Sequence, residues 1–342
     1  MKITGRPDLK DYGPEANIRQ PPGTSKHWQD SVVLAWWDET NSISSFHRLG
    51  HQPNYEGGSM ISLWNNLMSP HGMYKNTTFK PLRAADLRPN GGFGCGDDTC
   101  TFDFVAGEHV WRIHDGEVSA ELRLTDISGN VDCFPKKGSL AEDFAAAHFD
   151  IPGTVRGWVE MGGSRWDIAG ALGIRDHGWG VRDWDTILSH RWVVGTCGPA
   201  LSFVVLAWHS SDDALVSFGW VIRGDEITFA KKIDLVTYVE IDAATNRGGR
   251  MSLTLEGEEE EVLEIECTPV HKAAVSYHHG VCCIDRMCTF VCGELKGVAD
   301  FEATANLQRG GRTPRNFKDA VRENGFHVYE EEGGKEKVNG VK

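Results

Sequence analysis

The stretch DTILSHRWVVGTCGPALSFVVLAWHSSDDALVSFGWVIRG, Asp185–Gly224, decides the fold. Three apolar runs, over 185–195, 200–211 and 214–224, follow one another across short turns of Gly, Pro, Ser and Asp. Valine, isoleucine, phenylalanine and tryptophan dominate them, and these residues suit a pleated, half-buried surface. No gap holds the roughly dozen residues that a crossover to a parallel neighbour requires. The runs therefore predict antiparallel strands.

The same pattern extends both ways. Upstream it predicts strands over 31–39, 43–50, 59–68, 73–82, 101–107, 109–116 and 118–127; downstream, over 226–242, 249–257, 261–270 and 288–307. The best helix candidate is SLAEDFAAAHF, 139–149, which opens on a serine suited to capping. Without crossover helices a doubly wound sheet or a TIM barrel is not expected, and an all-β chain of closed barrels or sandwiches is. The expected organisation is an irregular lead-in over 1–30, one β domain over 31–184, a second over 185–330, and a charged, frayed tail over 331–342.

Forty-nine acids against 35 lysines and arginines give a formal charge of −14. Such a surface repels phosphate backbones, so nucleic acid is not an expected partner. No apolar run reaches the length of a membrane span, and the N-terminus lacks the apolar stretch of a signal peptide. Nine cysteines then read as reduced thiols of a cytoplasmic protein. Their spacing, as in CGDDTC (95–100) and CCIDRMCTFVC (282–292), does not match paired zinc ligands; Cys288 and Cys292 are expected on one face of a strand. HExxH, a P-loop, a dinucleotide fingerprint and a nucleophile elbow are all absent, so the expected chemistry uses no cofactor and no metal, with a His/Asp metal site assembled from distant strands left open.

One segment concentrates charge and rings: GIRDHGWGVRDW, Gly173–Trp184. If it is extended, Arg175, His177, Trp179 and Val181 share one face, and Asp176, Gly178, Gly180 and Arg182 the other. Two readings follow. In the first the Arg–Asp pairs are a structural clasp between domains. In the second His177 is an acid–base catalyst, since free imidazole titrates near 6.5. Asp176 or Asp183 would orient the ring, and Arg182 would steady developing oxyanion charge. All twelve tryptophans lie between positions 28 and 220, which suggests an aromatic cavity. Trp179, Trp184 and Trp208 are its candidate walls. His209 beside Trp208, His47 in SFHRLGH and Tyr277 in SYHHG are further candidates for substrate contact.

RDHGWGVRDW, 175–184, resembles the DH-x-WG segment of the two-domain, lipocalin-like group that includes carotenoid 1,2-hydratase (hydroxyneurosporene synthase) and AttH-like proteins. FHRLG and GVADFEATANL also resemble parts of that pattern, and the likeness covers about residues 30 to 307. Asp176, His177, Trp179 and Gly180 match the motif; Gly178 stands where relatives often carry serine or asparagine. The resemblance implies two lipocalin-like barrels with pockets for hydrophobic molecules, and non-redox chemistry such as double-bond hydration or cyclisation. The expected function is thus a cofactor-independent lyase, hydratase or isomerase acting on a small hydrophobic or aromatic molecule, with a non-catalytic carrier as the alternative. A homodimer is left open.

Overall fold

The computed structural model describes residues 2–3, 9–96, 99–116, 118–134, 145–210, 214–240, 246–310, 320–329 and 338–339. The chain divides into two compact units. One comprises Tyr12–Asn130, Ala145–Arg182 and Arg322–Lys342; the other comprises Met1–Asp11, Val131–Phe144 and Asp183–Val321. As expected, it is nearly all β. Its described helical elements are short 3-10 turns, and no helix is long and apolar enough to cross a membrane.

The first unit is an open, curled antiparallel sheet. Four strands, β1 (Trp28–Asp38), β2 (Ile43–Gln52), β3 (Met60–Ser69) and β4 (Gly72–Pro81), meander through consecutive hairpins. Six more complete it: β5 (Phe93–Gly94), β6 (Cys100–Val105), β7 (Glu108–Asp115), β8 (Val118–Asp126), β9 (Ala147–Met161) and β10 (Ser164–Val181). Their order is β4-β3-β2-β1-β10-β9-β8-β7-β6-β5. Trp36, Leu49, Leu63, Trp111, Leu122 and Val155 fill its concave core. Strand β8 alternates between buried and half-buried positions along most of its length, whereas every residue of β2 is buried, so β2 is covered on both faces.

The long hairpin β9–β10 turns on Gly162 and Gly163, whose φ angles of 59° and 78° fit the left-handed geometry of a two-residue hairpin turn. From that turn β10 runs eighteen residues, and GIRDHGWGV is its far end. The helix expected over 139–149 does not appear where it can be seen. Residues 139–144 lie outside the described residues, and Ala147–Phe149 open β9 instead, opposite Trp179–His177. Pairing with a long partner strand overrides a local helix preference worth only tenths of a kcal/mol per residue.

The second unit is a closed barrel. Its strands are β11 (Ile187–Thr196), β12 (Ser202–Ser210), β13 (Leu215–Arg223), β14 (Glu226–Val239), β15 (Asn246–Leu255) and β16 (Val262–Pro269), a side hairpin β17 (Ala273–His278) and β18 (Val281–Asp285), then β19 (Met287–Cys292) and β20 (Leu295–Asn306). The ring runs β11-β12-β13-β14-β15-β16-β19-β20 and closes by pairing β20 with β11, so it has no free edge. Of the two barrels that the resemblance implies, only this one closes among the described residues; the first sheet curls without its ends meeting. Phe203, Phe290, Phe301, Met251, Leu253 and Ile265 pack the barrel core, and Cys288 and Cys292 share the inward face of β19 with Phe290. All nine cysteines are free thiols. Beyond the barrel the chain returns to the first unit: Gly325–Val328 pairs antiparallel with β4, and Val338–Asn339 pairs with it in turn.

Candidate functional site

The extended conformation of the central motif divides its side chains as the alternation predicts. On one face Arg175 is 1% exposed, and its guanidinium donates to both Asp126 oxygens at 2.8 and 2.7 Å, to Asn17 Oδ1 at 3.0 Å and to Asn130 Oδ1 at 2.6 Å. Burial would raise the Asp126 carboxyl, but Arg175 outweighs it and holds Asp126 below the ordinary carboxylate range. Two residues on, His177 is also 1% exposed. Its Nδ1 stands 2.7 Å from the Ala16 carbonyl, which can only accept, and its Nε2 stands 2.8 Å from Asp30 Oδ1. The rings of Phe93, Phe149 and Trp179 surround it, with centroids 5.0–5.8 Å away. Trp179 in turn meets Tyr12 edge-on.

On the opposite face Asp176 meets His148 Nε2 at 2.5 Å, and Asp150 lies 3.6 Å from the same nitrogen. The register explains the meeting: His148 faces Gly178 across the β9–β10 ladder, and Asp150 faces Asp176. Burial opposes charge on this imidazole, but the two carboxylates outweigh it and raise His148 to about 9. Asp176 is held low, against its own burial, by His148 and by the Arg182 guanidinium. His148, Asp150 and Asp176 offer ligand atoms within 4.8 Å of one another and are the described residues best able to hold a metal ion. At neutral pH a proton on His148, together with Arg182, already balances the two carboxylates. Arg182 also reaches Gln29, whose amide oxygen can accept from it at 3.1 Å and from Arg48 at 3.2 Å. Of the motif's glycines, Gly180 is the most constrained. Gly180 has φ 127°, and a Cβ there would lie 2.2 Å from the Ala146 backbone nitrogen.

The remaining candidates scatter. Asp183 caps the short turn Trp184–Thr186, accepting from the Asp185 N–H at 3.0 Å. Trp184 is buried in the barrel unit, edge-on to His278, and its carbonyl accepts from Asn306. His47 lies fully buried in the first sheet, between Ser45, Trp36 and Asn65, and burial lowers it to about 3. Tyr277 is 39% exposed on β17. None of these residues, and none of Asp176, His177, Trp179 and Arg182, lines either of the two cavities that follow.

The larger cavity, about 420 Å³, belongs to the barrel unit and brings Trp208 and His209 together. Its origin is visible in the register. Ala303, Arg191, Ala207 and Ser217 stand side by side on β20, β11, β12 and β13. At the next inward level Phe301, Val193, Val205 and Gly219 begin the packed core. Small side chains at the first level leave open the space that phenylalanines fill deeper in. Ser189, His209 and Leu215 form the outer row, and Ile233, Leu235 and Thr237 line the β14 wall. His209 is half-buried on this inward row. Trp208 takes the opposite parity, its ring packed edge-on to Phe218. His190 also lies on the cavity wall, and its Nε2 meets Glu302 Oε1 at 2.5 Å on the outward parity of the barrel.

Sequence reasoning missed Arg191 and Asp234, which line the cavity, and Glu302, which lies behind its wall. Arg191 shares the inward parity of Val193, and Glu302 is held low by His190 in spite of burial. ILSHRWVVG shows polar residues at both parities before Trp192, so alternation alone could not mark Arg191 as inward. A smaller cavity, about 210 Å³, lies in the first unit beside Gln20, Trp28 and His51. It approaches the motif indirectly. The Gln20 backbone N–H donates to Asp30 Oδ2 at 2.6 Å, and the other Asp30 oxygen holds His177.

The architecture recurs in solved structures. An AttH-like protein (NE1406) of Nitrosomonas europaea superposes with a TM-score of 0.62 at 13% identity, over 87% of this chain and 99% of that one. Kievitone hydratase from Nectria haematococca gives 0.61 at 10% identity, over 89% and 96%. CghA gives 0.58 at 12% identity, over 86% and 95%. At such identities the likeness establishes a shared fold. No curated protein sequence matches the chain. Residues 13–307 match the model of a domain of unknown function, DUF7064, and with most of its length inside that match the chain belongs to the DUF7064 family.

Proposed function

We propose that the protein is a cofactor-independent enzyme of the hydratase, lyase or isomerase kind, acting on a small hydrophobic molecule held in the barrel cavity. The observation that carries this reading is a cavity of about 420 Å³ whose lining holds the His190 and His209 imidazoles, the Arg191 guanidinium, the Asp234 carboxylate and three hydroxyl groups beside Trp208, Leu215, Ile233 and Leu235. That volume falls in the range of small-molecule sites. His209 moves the proton: imidazole serves as base toward a C–H or a water and as acid toward the carbon or the leaving oxygen. Arg191 supplies positive charge where an oxyanion or enolate develops. Ser189, Ser217 and Thr237 hydroxyls orient a water or a leaving hydroxyl. The fold shared with kievitone hydratase supports the reaction class. In this reading the motif around His177 acts structurally, pinning lead-in, β1 and β10 together through Asp30 and Arg175.

The test is to incubate the protein with a small-molecule extract of its source cells in heavy-oxygen water and follow masses over time. A pair of compounds differing by one water, or a pair of isomers, is expected to shift in ratio. His209→Ala is expected to slow that shift about a hundredfold or more, while His177→Ala that still folds stays within a few-fold of wild type. An unchanged extract, with an intact compound retained on the protein, would favour a carrier. Full activity in His209→Ala would remove this residue from the mechanism.

A further inference from the structure

Among the described residues, the buried arginines of the first sheet, Arg48, Arg175 and Arg182, face carboxylates or amide oxygens, whereas the half-buried Arg191 on the inward parity of the barrel does not. Arg191 donates from Nε to Thr237 Oγ1 at 3.2 Å and from Nη1 to the carbonyls of His190 at 2.7 Å and Thr304 at 3.4 Å. These contacts use Nε and Nη1. Nη2, with two N–H donors, has no acceptor among the described residues, and no carboxylate comes within ion-pair distance of Arg191 there. The acids nearby are otherwise engaged: Glu302 with His190 at 2.5 Å, and Asp234 with Lys232 at 2.7 Å. Burial accordingly pushes the guanidinium below its ordinary value, with Glu302 only partly offsetting it. Arg191 is half-buried and lines the cavity, so an oppositely charged ligand there can reach its unused amine.

We propose that the occupant of the barrel cavity is a compact hydrophobic carboxylate whose anionic oxygens bind Arg191 Nη2. The inference rests on the reading that this cavity is the functional site, and it adds the chemical class of the ligand. The guanidinium fork matches a carboxylate in plane and spacing. Ala207, Ser217 and Ala303 leave room beside it, and Leu215, Ile233 and Leu235 face the apolar body. A ligand so anchored lies on the same inward wall as His209, one row outward of Arg191.

The experiment compares naphthoate with naphthamide, an amide of nearly the same shape, by titration calorimetry on the full chain. Wild type is expected to bind naphthoate at least about tenfold more tightly, a modest return for charge-assisted hydrogen bonds. Arg191→Met keeps the length of the side chain without its charge. It is expected to bind naphthamide as wild type does, which also reports that it folds, and to lose the preference for the acid. Ala207→Trp fills the cavity and is expected to weaken both probes. Equal binding of acid and amide by wild type, binding of neither, or a preference that survives in Arg191→Met would overturn the proposal. If Ala207→Trp left both affinities unchanged, the cavity itself would fail as the site. Equal binding of acid and amide by wild type, with Ala207→Trp still weakening both, would reject only the carboxylate and leave the cavity as the site.

Discussion

Arg175 and Arg191 are both inward guanidinium groups on long antiparallel strands, and the contrast between them separates scaffold from site. Arg175 is satisfied by Asp126, Asn17 and Asn130. Arg191 leans on two carbonyls and a threonine, beside a cavity, with one amine unanswered among the described residues. The protein neutralises the buried Arg175 itself; the half-buried Arg191 is the charge that the proposed ligand would neutralise. The same contrast holds for the imidazoles: His177 has acceptors at both ring nitrogens and a wall of aromatic rings, whereas His209 opens onto a cavity.

The largest test removes each guanidinium in turn. Arg175→Met takes the guanidinium from the half-buried Asp126 carboxylate and from the Asn17 and Asn130 amides and is expected to cost about 3 kcal/mol of unfolding free energy. Arg191→Met removes an unpaired charge and is expected to be neutral or stabilising by about 1 kcal/mol. Urea denaturation of both variants decides; equal losses would erase the distinction.

A smaller effect comes from pH. Burial lowers His47 to about 3, and His51 and His109 to about 4, all in the first sheet. Below the free value of 6.5 the unfolded chain binds protons that these folded imidazoles refuse, so their contribution is complete above 6.5 and is lost as pH falls toward 4. Each contributes up to about 1.4 kcal/mol per pH unit in that window. His148 works in the other direction: raised to about 9, it favours the fold most below 6.5, and that contribution is lost as pH climbs through 9. Unfolding midpoints measured by first-sheet tryptophan fluorescence should therefore fall on both the acid and the alkaline side. A flat profile from pH 4 to 6.5 would mean that these rings are not sealed. The smallest expected effect is at Tyr277, exposed and outside the cavity wall; Tyr277→Ala should change stability by less than about 0.5 kcal/mol and leave naphthoate binding intact. A binding change there would extend the site onto β17.

Most of the strands could be read from the sequence because apolar alternation and turn residues are local signals. The runs at 43–50 and 118–127 correspond to β2 and β8 within two residues at each end. The hairpin β9–β10 was harder to read. Its exposed half alternates irregularly through Gly157, Gly163 and Gly170, and the slip at Val155/Arg156 breaks its period. The site was legible only in part. Trp208 and His209 were visible as an aromatic–imidazole pair at a strand end, and both reach the barrel cavity. The partners that seal His177, Asp30 and Ala16, lie about 150 positions upstream. Nothing local announces such contacts. Charge density in GIRDHGWGVRDW pointed to a place where charges had to be buried, and Arg175, Asp176, His177 and Arg182 are all buried there.

The return of the chain end to the first sheet bears on how the protein is made. Strand β4 emerges from the ribosome long before Gly325–Val328, the segment that covers its outer edge. During synthesis, then, the first sheet waits with an open rim while the whole barrel is added, and a product cut short before residue 322 would keep that rim bare.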